Sequence, residues 1–271
     1  MIKAGQVYLK LAYEDRDTAR RIEGCEWHPG LKMWSWPCSR WRILVRLFPG
    51  YAKTVTRDIE DLRARIAEQK VQSIVRTTQI NSMDLSDYTF KLKPYAHQLR
   101  MVRWGLEKKQ YAFFCEMGTG KTKAVIDIFG ILRLRGLVRN ILIVCPKSVL
   151  DVWVDEFNKN MDNPDTVILY GTQKKRKGLL AEGYTINIIN YAGLLSIKKD
   201  PALKQFDMVV LDESSRVKNP KSQRTRAALD LFKRVEYKFI CSGTPITQSP
   251  IDIFPQFKFL DEDFIPQKSY Y

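Results

Sequence analysis

The sequence predicts an α/β protein in which a lobe with a mainly parallel β-sheet, flanked by helices, follows a small α+β module. Two observations carry this prediction. After residue 90, short apolar runs alternate with longer amphipathic stretches, as they do when buried strands alternate with covering helices. Before residue 53, shorter segments with strand-like and helix-like periodicity follow one another closely. The 271 residues, 45% of them hydrophobic, are enough to build a core in both parts.

The small module is predicted to span residues 1–52. Residues 6–12 alternate like a strand, and residues 15–22 can form a short helix. Two further strands are expected at 31–36 and 41–48, joined by a turn that contains Pro37. We expect at least two of the four tryptophans of this module to belong to its core, because a domain of about fifty residues needs large aromatic side chains to build one. The four are Trp27, Trp34, Trp36 and Trp41.

Residues 53–90 are predicted to link the module to the lobe. Val55, Ile59, Leu62 and Ile66 recur at helical spacing, so a helix is expected over 53–71, and the polar stretch 72–90 is expected to be a connector. The lobe then spans residues 91–271. Its expected strands lie at 111–115, 141–145, 166–170, 185–190, 207–211 and 237–241.

Charge and composition limit the classes of partner. Lys and Arg number 45 against 30 acidic residues, and a net charge of +15 favours polyanions such as nucleic acid. No apolar run of about 18 residues and no secretory signal occurs, so no membrane partner is expected. We expect a cytoplasmic protein of a prokaryotic or phage-infected cell, or a nuclear one in a eukaryote. Cys25, His28 and Cys38 could supply three zinc ligands, but a structural zinc site needs a fourth and none has the usual spacing.

The strongest local feature is the segment CEMGTGKT at 115–122, between a predicted strand and an apolar helix. A phosphate-binding loop needs glycines where the backbone turns tightly, a lysine for the β and γ phosphates and a hydroxyl for Mg²⁺. Gly118, Gly120, Lys121 and Thr122 meet these needs, although the full pattern has glycine where Cys115 stands. The residues predicted to contact the nucleotide here are Met117, Gly118, Thr119, Gly120, Lys121 and Thr122.

An acidic pair closes the predicted strand at 207–211. Asp212 is expected to hold Mg²⁺ together with Thr122, and Glu213 to polarise the water that attacks the γ phosphate. The next apolar strand ends in CSGTPIT at 241–247, where Ser242 and Thr244 could bond the acidic pair or the backbone and so report the nucleotide state elsewhere.

A further segment precedes the phosphate loop, LKPYAHQLRMVRWGL at 92–106. Gln98 could give a bidentate amide contact to adenine, which makes ATP the expected cofactor. Tyr95 and Trp104 are interpreted as core or packing residues, with stacking on the base as the less favoured alternative.

The order of these motifs resembles the first half of the Swi/Snf-type ATPases of helicase superfamily 2. The series runs from Gln98 through MGTGKT, IVCPKSVLDVWVDEF at 143–157 and INYAGL at 189–194 to DESSRVKNPKS and CSGTPIT. Val102 and Trp104 follow Gln98 at the family's spacing, and the superfamily does not require the loop's first glycine. The resemblance covers residues 90–262 and implies a RecA-like lobe. One departure is Ser215, which stands where the family usually has a histidine that couples hydrolysis to the DNA-facing motifs.

The resemblance also implies partners. Five residues would contact the DNA backbone: Pro146, Lys147, Ser148, Asn190 and Tyr191. The basic run 174–177 is equally compatible with a place among these DNA contacts and with a solvated helix face. The stretch after the acidic pair, with Arg216, Lys218, Asn219 and Ser222, is similar to the family's own extension of that motif.

Such motors use two RecA-like lobes, and the second supplies an arginine finger worth about 10³ to 10⁵ in rate. A missing C-terminal lobe is therefore an expected partner, and the chain alone is expected to hydrolyse ATP slowly. The small module faintly resembles HARP-type accessory modules, which implies recognition of branched DNA. These inferences predict the N-terminal part of an ATP-dependent translocase or helicase acting on double-stranded, and in some cases branched, DNA. A non-catalytic DNA-binding module and a fragment of a superfamily 2 RNA helicase are the alternatives.

Overall fold

The computed structural model describes residues 1–263, and its contacts divide the chain into two units, residues 1–79 and the residues from 80 onward. The predicted lobe extends to residue 271, of which 264–271 lie outside the described residues. No helix within residues 1–263 is both long and apolar enough to cross a membrane.

The first unit is built on a four-stranded antiparallel sheet with the strand order β1-β2-β4-β3. Val7 and Leu9 of one strand face Trp34 and Trp36 of its neighbour in the core. Two tryptophans are therefore buried, which confirms the expectation, whereas Trp27 is 40% exposed on the edge strand. The elements are β1 Ile2–Lys3, β2 Gln6–Leu9, α1 Arg16–Arg20, β3 Glu26–His28, β4 Met33–Pro37, α2 Trp41–Leu47 and α3 Ala52–Asn81.

Two expectations for this part of the chain are wrong. The segment 41–48 is the helix α2 and not a strand, because Leu44 and Phe48 pack into the core one helical turn apart while Ile43 and Leu47 stay exposed. A short apolar run such as Ile43 to Val45 does not by itself distinguish a strand from a short helix.

The second wrong expectation concerns the connector at 72–90, since α3 continues to Asn81. Its polar residues fit a helix. The hydroxyls of Thr77 and Thr78 donate to the carbonyls of Ser73 and Ile74, four residues earlier, so both polar groups find their partners within the helix.

The second unit holds a six-stranded, all-parallel sheet with the order β5-β10-β9-β6-β8-β7. All six predicted strands are confirmed. The strands are β5 Gln110–Phe114, β6 Ile141–Cys145, β7 Thr166–Ile168, β8 Ile186–Asn190, β9 Met208–Asp212 and β10 Tyr237–Ser242. The helices are α4 Ala96–Lys108, α5 Lys121–Leu134, α6 Leu150–Asn160, α7 Gln173–Ala181, α8 Tyr191–Ile197, α9 Gln223–Leu231 and α10 Phe254–Leu260.

Both faces of this sheet are covered, which is why its strands are apolar at successive positions. In β6, Ile141 and Ile143 pack in the cluster that contains residues of α5 and α6, whereas Leu142 and Val144 pack in the cluster of α8, α9 and α10. Because all six strands are parallel, their carboxyl ends meet at one edge of the sheet, where ligands of open α/β sheets bind. The predicted site residues lie at or just after the carboxyl ends of β5, β6, β8, β9 and β10, except Gln98, which lies on α4.

Candidate nucleotide site and the adjacent basic cleft

The phosphate loop joins β5 to the first turn of α5. Gly118 and Gly120 both have a φ of +80°, in the left-handed region that favours glycine. Nothing lies within 4 Å of a Cβ placed at Gly118, whereas one at Gly120 would lie 2.0 Å from Nε2 of Gln98. The backbone turn therefore requires glycine at both positions, and the close approach of Gln98 adds a second reason at Gly120.

Lys121 and Thr122 open α5, whose amino end points a partial positive charge at the loop. The Lys121 amine donates to the carbonyls of Cys115 and Glu116, at 2.8 Å each, and so bridges the start of the loop. Met117 is 89% exposed at the tip, and the Thr119 hydroxyl donates to the carbonyl of Glu116. The predicted loop residues are thus brought together, with a cation over the space that the loop encloses.

The acidic pair ends β9. Asp212 Oδ2 accepts a hydrogen bond from Trp153 Nε1 at 2.9 Å, and its Oδ1 accepts one from the amide of Glu213 at 3.0 Å. Burial raises the pKa of Asp212, while the bonds from Trp153 and from the Glu213 amide act in the opposite direction. Two fixed hydrogen bonds therefore orient a largely desolvated carboxylate at the edge of the sheet.

Glu213 has a left-handed backbone conformation, and two hydroxyls donate hydrogen bonds to its carboxylate. Its φ of 52° and ψ of 59° lie in the left-handed region, which costs a residue with a side chain free energy and which clusters at functional sites. Its Oε1 accepts from the hydroxyls of Ser215, at 2.5 Å, and Ser242, at 3.0 Å. Ser242 lies at the end of β10 and also accepts from the amide of Thr244. Ser215, the departure from the family pattern, is in direct contact with Glu213.

Gln98 is buried at the start of α4, and both the oxygen and the nitrogen of its side-chain amide contact other protein groups. Its Oε1 accepts from the amide of Tyr95 at 3.0 Å, and its Nε2 lies 3.5 Å from the carbonyl of Thr119. Tyr95 is 72% exposed at the cap of the helix and stacks on His97 with ring centroids 5.9 Å apart, so it is not a core residue, whereas Trp104 stacks on Tyr111. A bond between Gln98 and adenine requires exchange of these contacts.

A basic cleft of about 530 Å³ lies beside the acidic pair, and all five residues predicted to contact DNA line it. Its lining residues are Cys145, Pro146, Lys147, Ser148, Asn190, Tyr191, Ala192, Arg216 and Arg224. Lys147 and Ser148 are exposed. Asn190 instead caps α8 by accepting from the amide of Gly193 at 2.7 Å, and Tyr191 is buried.

Three side chains of this region were not predicted from the sequence: Trp153, Gln256 and Arg224. Trp153 recurs with Leu150 and Phe157 at helical spacing and was indistinguishable from a core residue. Gln256, fully buried in α10, accepts from the Ser214 hydroxyl at 2.6 Å and donates to the carbonyl of Pro245 at 2.8 Å, which ties the acidic pair to the loop after β10. Arg224 lines the cleft together with Arg216, which the sequence had placed in the extension after the acidic pair, and only its positive charge in the same segment could have indicated it.

Among the described residues no group of three or more His, Cys, Asp or Glu side chains is placed to hold a metal ion, and this includes Cys25, His28 and Cys38. In the basic run 174–177, Lys174, Lys175 and Lys177 are exposed on α7. Arg176 differs, because it donates to the carbonyl of Leu169 at 3.3 Å and to the hydroxyl of Ser196 at 3.1 Å.

The sequence of this chain is similar to those of known proteins. The SNF2-related domain matches residues 97–271. The chain is 27% identical over 183 residues to the ISWI chromatin-remodeling complex ATPase ISW1 of Saccharomyces cerevisiae, covering 64% of this chain and 16% of that protein. It is 28% identical over 210 residues to the SWI/SNF-related matrix-associated actin-dependent regulator of chromatin subfamily A-like protein 1 of Xenopus laevis, covering 74% and 21%.

A solved structure gives a similar result. The Sulfolobus solfataricus SWI2/SNF2 ATPase core in complex with double-stranded DNA superposes with a TM-score of 0.59 at 26% identity, over 66% of this chain and 38% of that chain. The chain thus spans about a fifth of the length of the curated relatives and less than half of the solved core.

Proposed function

The chain belongs to the SNF2-related domain family, and on that premise we propose that it is the N-terminal, ATP-binding part of a motor that couples ATP hydrolysis to movement on double-stranded DNA. One observation carries the proposal. The phosphate loop, the acidic pair and the basic cleft lie at one edge of a single parallel sheet, and Glu213 is held in place by hydroxyls from two separate segments.

The phosphates of ATP are bound by the loop and the first turn of α5. Backbone amides and the helix dipole favour anions there. The Lys121 amine, which has three donors, transfers from the carbonyls of Cys115 and Glu116 to the β and γ phosphates. Gln98 contacts the adenine, with its two present bonds given up in exchange.

The donor set fits Mg²⁺. Thr122 and Asp212 offer oxygen atoms, the ligands that Mg²⁺ prefers, and this ion is usually held by one or two carboxylates together with substrate phosphates and water. Each Asp212 oxygen accepts a single protein hydrogen bond and so keeps a lone pair for a ligand. Bound Mg²⁺ would neutralise charge on the transferred phosphate.

Glu213 polarises the attacking water. Its carboxylate must face the γ phosphate in a fixed orientation, because proton transfer needs heavy-atom distances near hydrogen-bond length. Ser215 and Ser242 fix that orientation through one oxygen and leave the second free of bonds from either hydroxyl.

DNA is bound along the basic cleft. Lys147, Ser148 and the arginines of the cleft contact phosphates and not bases, which suits a motor that moves along any sequence. The solved core that resembles this chain was determined with double-stranded DNA. In the functional motor a second RecA-like lobe, C-terminal to this one, supplies an arginine finger. The net charge of +15 adds a sequence-independent attraction.

The first unit recognises branched DNA. Trp27 is exposed on the edge strand β3, its ring 5.0 Å from that of Trp34, and Arg20 lies over Trp34 at 5.7 Å. An exposed aromatic ring can stack on an unpaired base, and a neighbouring arginine can pair with phosphate. Unpaired bases occur at forks and not within a duplex.

The proposal is tested by measuring ATP turnover and DNA binding of the whole chain. We expect binding of ATP with Mg²⁺, slow hydrolysis that a 20-base-pair duplex accelerates, and DNA affinity that falls steeply with salt as phosphate-bound counterions are released. Phosphate release and fluorescence anisotropy of labelled duplex provide the two measurements. Binding of DNA without any binding of ATP would instead support the non-catalytic module, and equal competition by duplex RNA would support the RNA helicase.

Replacing Trp27 with Ala should weaken binding of a forked duplex by about fivefold or more while changing binding of a linear duplex little, because stacking of one base on an aromatic ring contributes about 1–3 kcal/mol. Anisotropy titrations with both DNAs measure the effect. The matched control is Tyr13→Ala, which removes another exposed aromatic ring of the same unit. Equal losses for forked and linear DNA, or no loss for either, would contradict a branch-specific role.

A further inference from the structure

Tyr191 lines the basic cleft and also contacts the acidic pair. It is the first residue of α8, directly after β8, and only 4% of it is exposed. Its hydroxyl points inward, donating to the carbonyl of Asp212 at 2.8 Å and lying 3.5 Å from the carbonyl of Glu213. Burial raises the pKa of Tyr191 well above its ordinary value, so the hydroxyl remains a donor. Because its ring is buried and its hydroxyl is bonded inside the protein, the Tyr191 side chain contacts the protein and not a DNA backbone.

The outer face of the same ring contacts an arginine. The guanidinium carbon of Arg224 lies 5.5 Å from the centroid of the Tyr191 ring, within the range of a cation–π interaction. The Nε of Arg224 is buried and makes no hydrogen bond to any described residue. A buried donor left without a partner is unfavourable, and a bond to an anionic ligand removes that cost. Arg224 is therefore suited to bind a phosphate in the cleft.

The Tyr191 hydroxyl contacts a segment whose backbone is strained. The two carbonyls near its hydroxyl belong to the peptide groups on either side of the Glu213 Cα, whose left-handed backbone persists only because its surroundings hold it. The direction of the Glu213 side chain depends on these two peptide groups. A small shift of Tyr191 is thus transmitted to the carboxylate that the proposed function assigns to the attacking water.

We propose that Tyr191 is a positioning residue that couples DNA binding in the basic cleft to the orientation of Glu213, with Arg224 as the residue that senses the phosphate. The inference rests on the proposed function, because it assumes both ligands. A phosphate on Arg224 changes the cation–π contact with the Tyr191 ring, and the hydroxyl passes the change to the backbone of the acidic pair. Coupling of this kind is reciprocal, so nucleotide affinity and DNA affinity must change by the same factor.

The experiment measures that factor in the whole chain. Affinity for ATPγS with Mg²⁺ is determined by calorimetry, with and without a saturating 20-base-pair duplex, for the unchanged chain, Tyr191→Phe, Arg224→Gln and the double variant. We expect duplex DNA to change the nucleotide affinity of the unchanged chain by about fivefold or more, within the usual range of coupling between sites. In Tyr191→Phe, which keeps the ring and loses only the hydroxyl, the factor should fall below about twofold.

Two further variants complete the design. Arg224→Gln changes a partly exposed residue of α9, so it tests the same path should Tyr191→Phe fail to fold, and the double variant should lose no more coupling than Tyr191→Phe alone. Tyr184→Phe is the matched control, since its hydroxyl interacts with Glu182 away from the site, and it should keep the full factor.

The outcomes separate the two proposals. Coupling in the unchanged chain that survives in both Tyr191→Phe and Arg224→Gln would overturn the relay while leaving the proposed function standing. A purely structural role for Tyr191 would weaken both affinities and leave their coupling factor unchanged, which also overturns the relay. Absence of nucleotide or DNA binding in the unchanged chain would overturn the proposed function itself.

Discussion

Replacing Lys121 with Ala should lower the affinity of the chain for ATP by about 100-fold or more. Hydrogen bonds to charged groups contribute about 1.5–3 kcal/mol each, and every 1.4 kcal/mol is a tenfold change in affinity. The lysine places a cation at the phosphate loop, and its amine donates to the carbonyls of Cys115 and Glu116, which the phosphates would replace. Isothermal calorimetry with ATP and Mg²⁺ measures the loss.

The fold should survive this change, because Lys121 is only half-buried and sits outside the hydrophobic clusters. Thermal unfolding followed by circular dichroism should give a midpoint within a few degrees of the unchanged chain. Lys199→Ala, which removes an exposed lysine after α8, is the matched control and should bind ATP normally. Unchanged ATP affinity in Lys121→Ala would remove the basis for assigning a phosphate-binding loop to 115–122.

Glu213→Gln should reduce ATP hydrolysis by about 10² to 10⁴-fold while ATP still binds, because a positioned general base contributes about that much to a rate. The substitution keeps an oxygen that can accept from Ser215 and Ser242, so the side chain can remain in place. Phosphate release over long incubations, in the presence of duplex DNA, measures turnover, and calorimetry measures binding in the same preparation.

An acidic residue away from the site gives the comparison for this variant. Glu182→Gln changes an exposed carboxylate at the end of α7 and should hydrolyse ATP at the unchanged rate. If Glu213→Gln hydrolysed ATP as fast as the unchanged chain, the water-polarising role of Glu213 would be wrong, and the left-handed backbone at this residue would need another explanation.

The strands of the second unit were predictable from sequence because burial on both faces of a sheet leaves a plain signature. Residues such as Ile141 to Cys145 are apolar at every position, and flanking amphipathic stretches separate one strand from the next. The same rule fails for 41–48, where a helix of seven residues carries an apolar run too short to show its period. Local sequence also missed the end of α3, since polar residues with good helical geometry resemble those of a connector.

The candidate site was predictable to the extent that its chemistry is local. Glycines, a lysine and a hydroxyl within eight residues predict a phosphate loop, and an acidic pair at a strand end predicts a metal site. The contacts that orient these groups join distant parts of the chain: Trp153 reaches Asp212, and Gln256 reaches Ser214. Such pairings depend on how the elements pack, and no spacing in the sequence encodes them.

The strand order has a consequence for the synthesis of this protein. β5, which precedes the phosphate loop, pairs with β10 alone at the edge of the sheet formed by the described residues. The ribosome produces β10 about 130 residues later, a delay of roughly 6 to 25 s at about 5–20 residues per second. Until then β5 has no neighbouring strand, and Ser242 is not yet present to hold Glu213. The candidate nucleotide site is therefore completed late in synthesis, in one step, when β10 is inserted between β5 and β9.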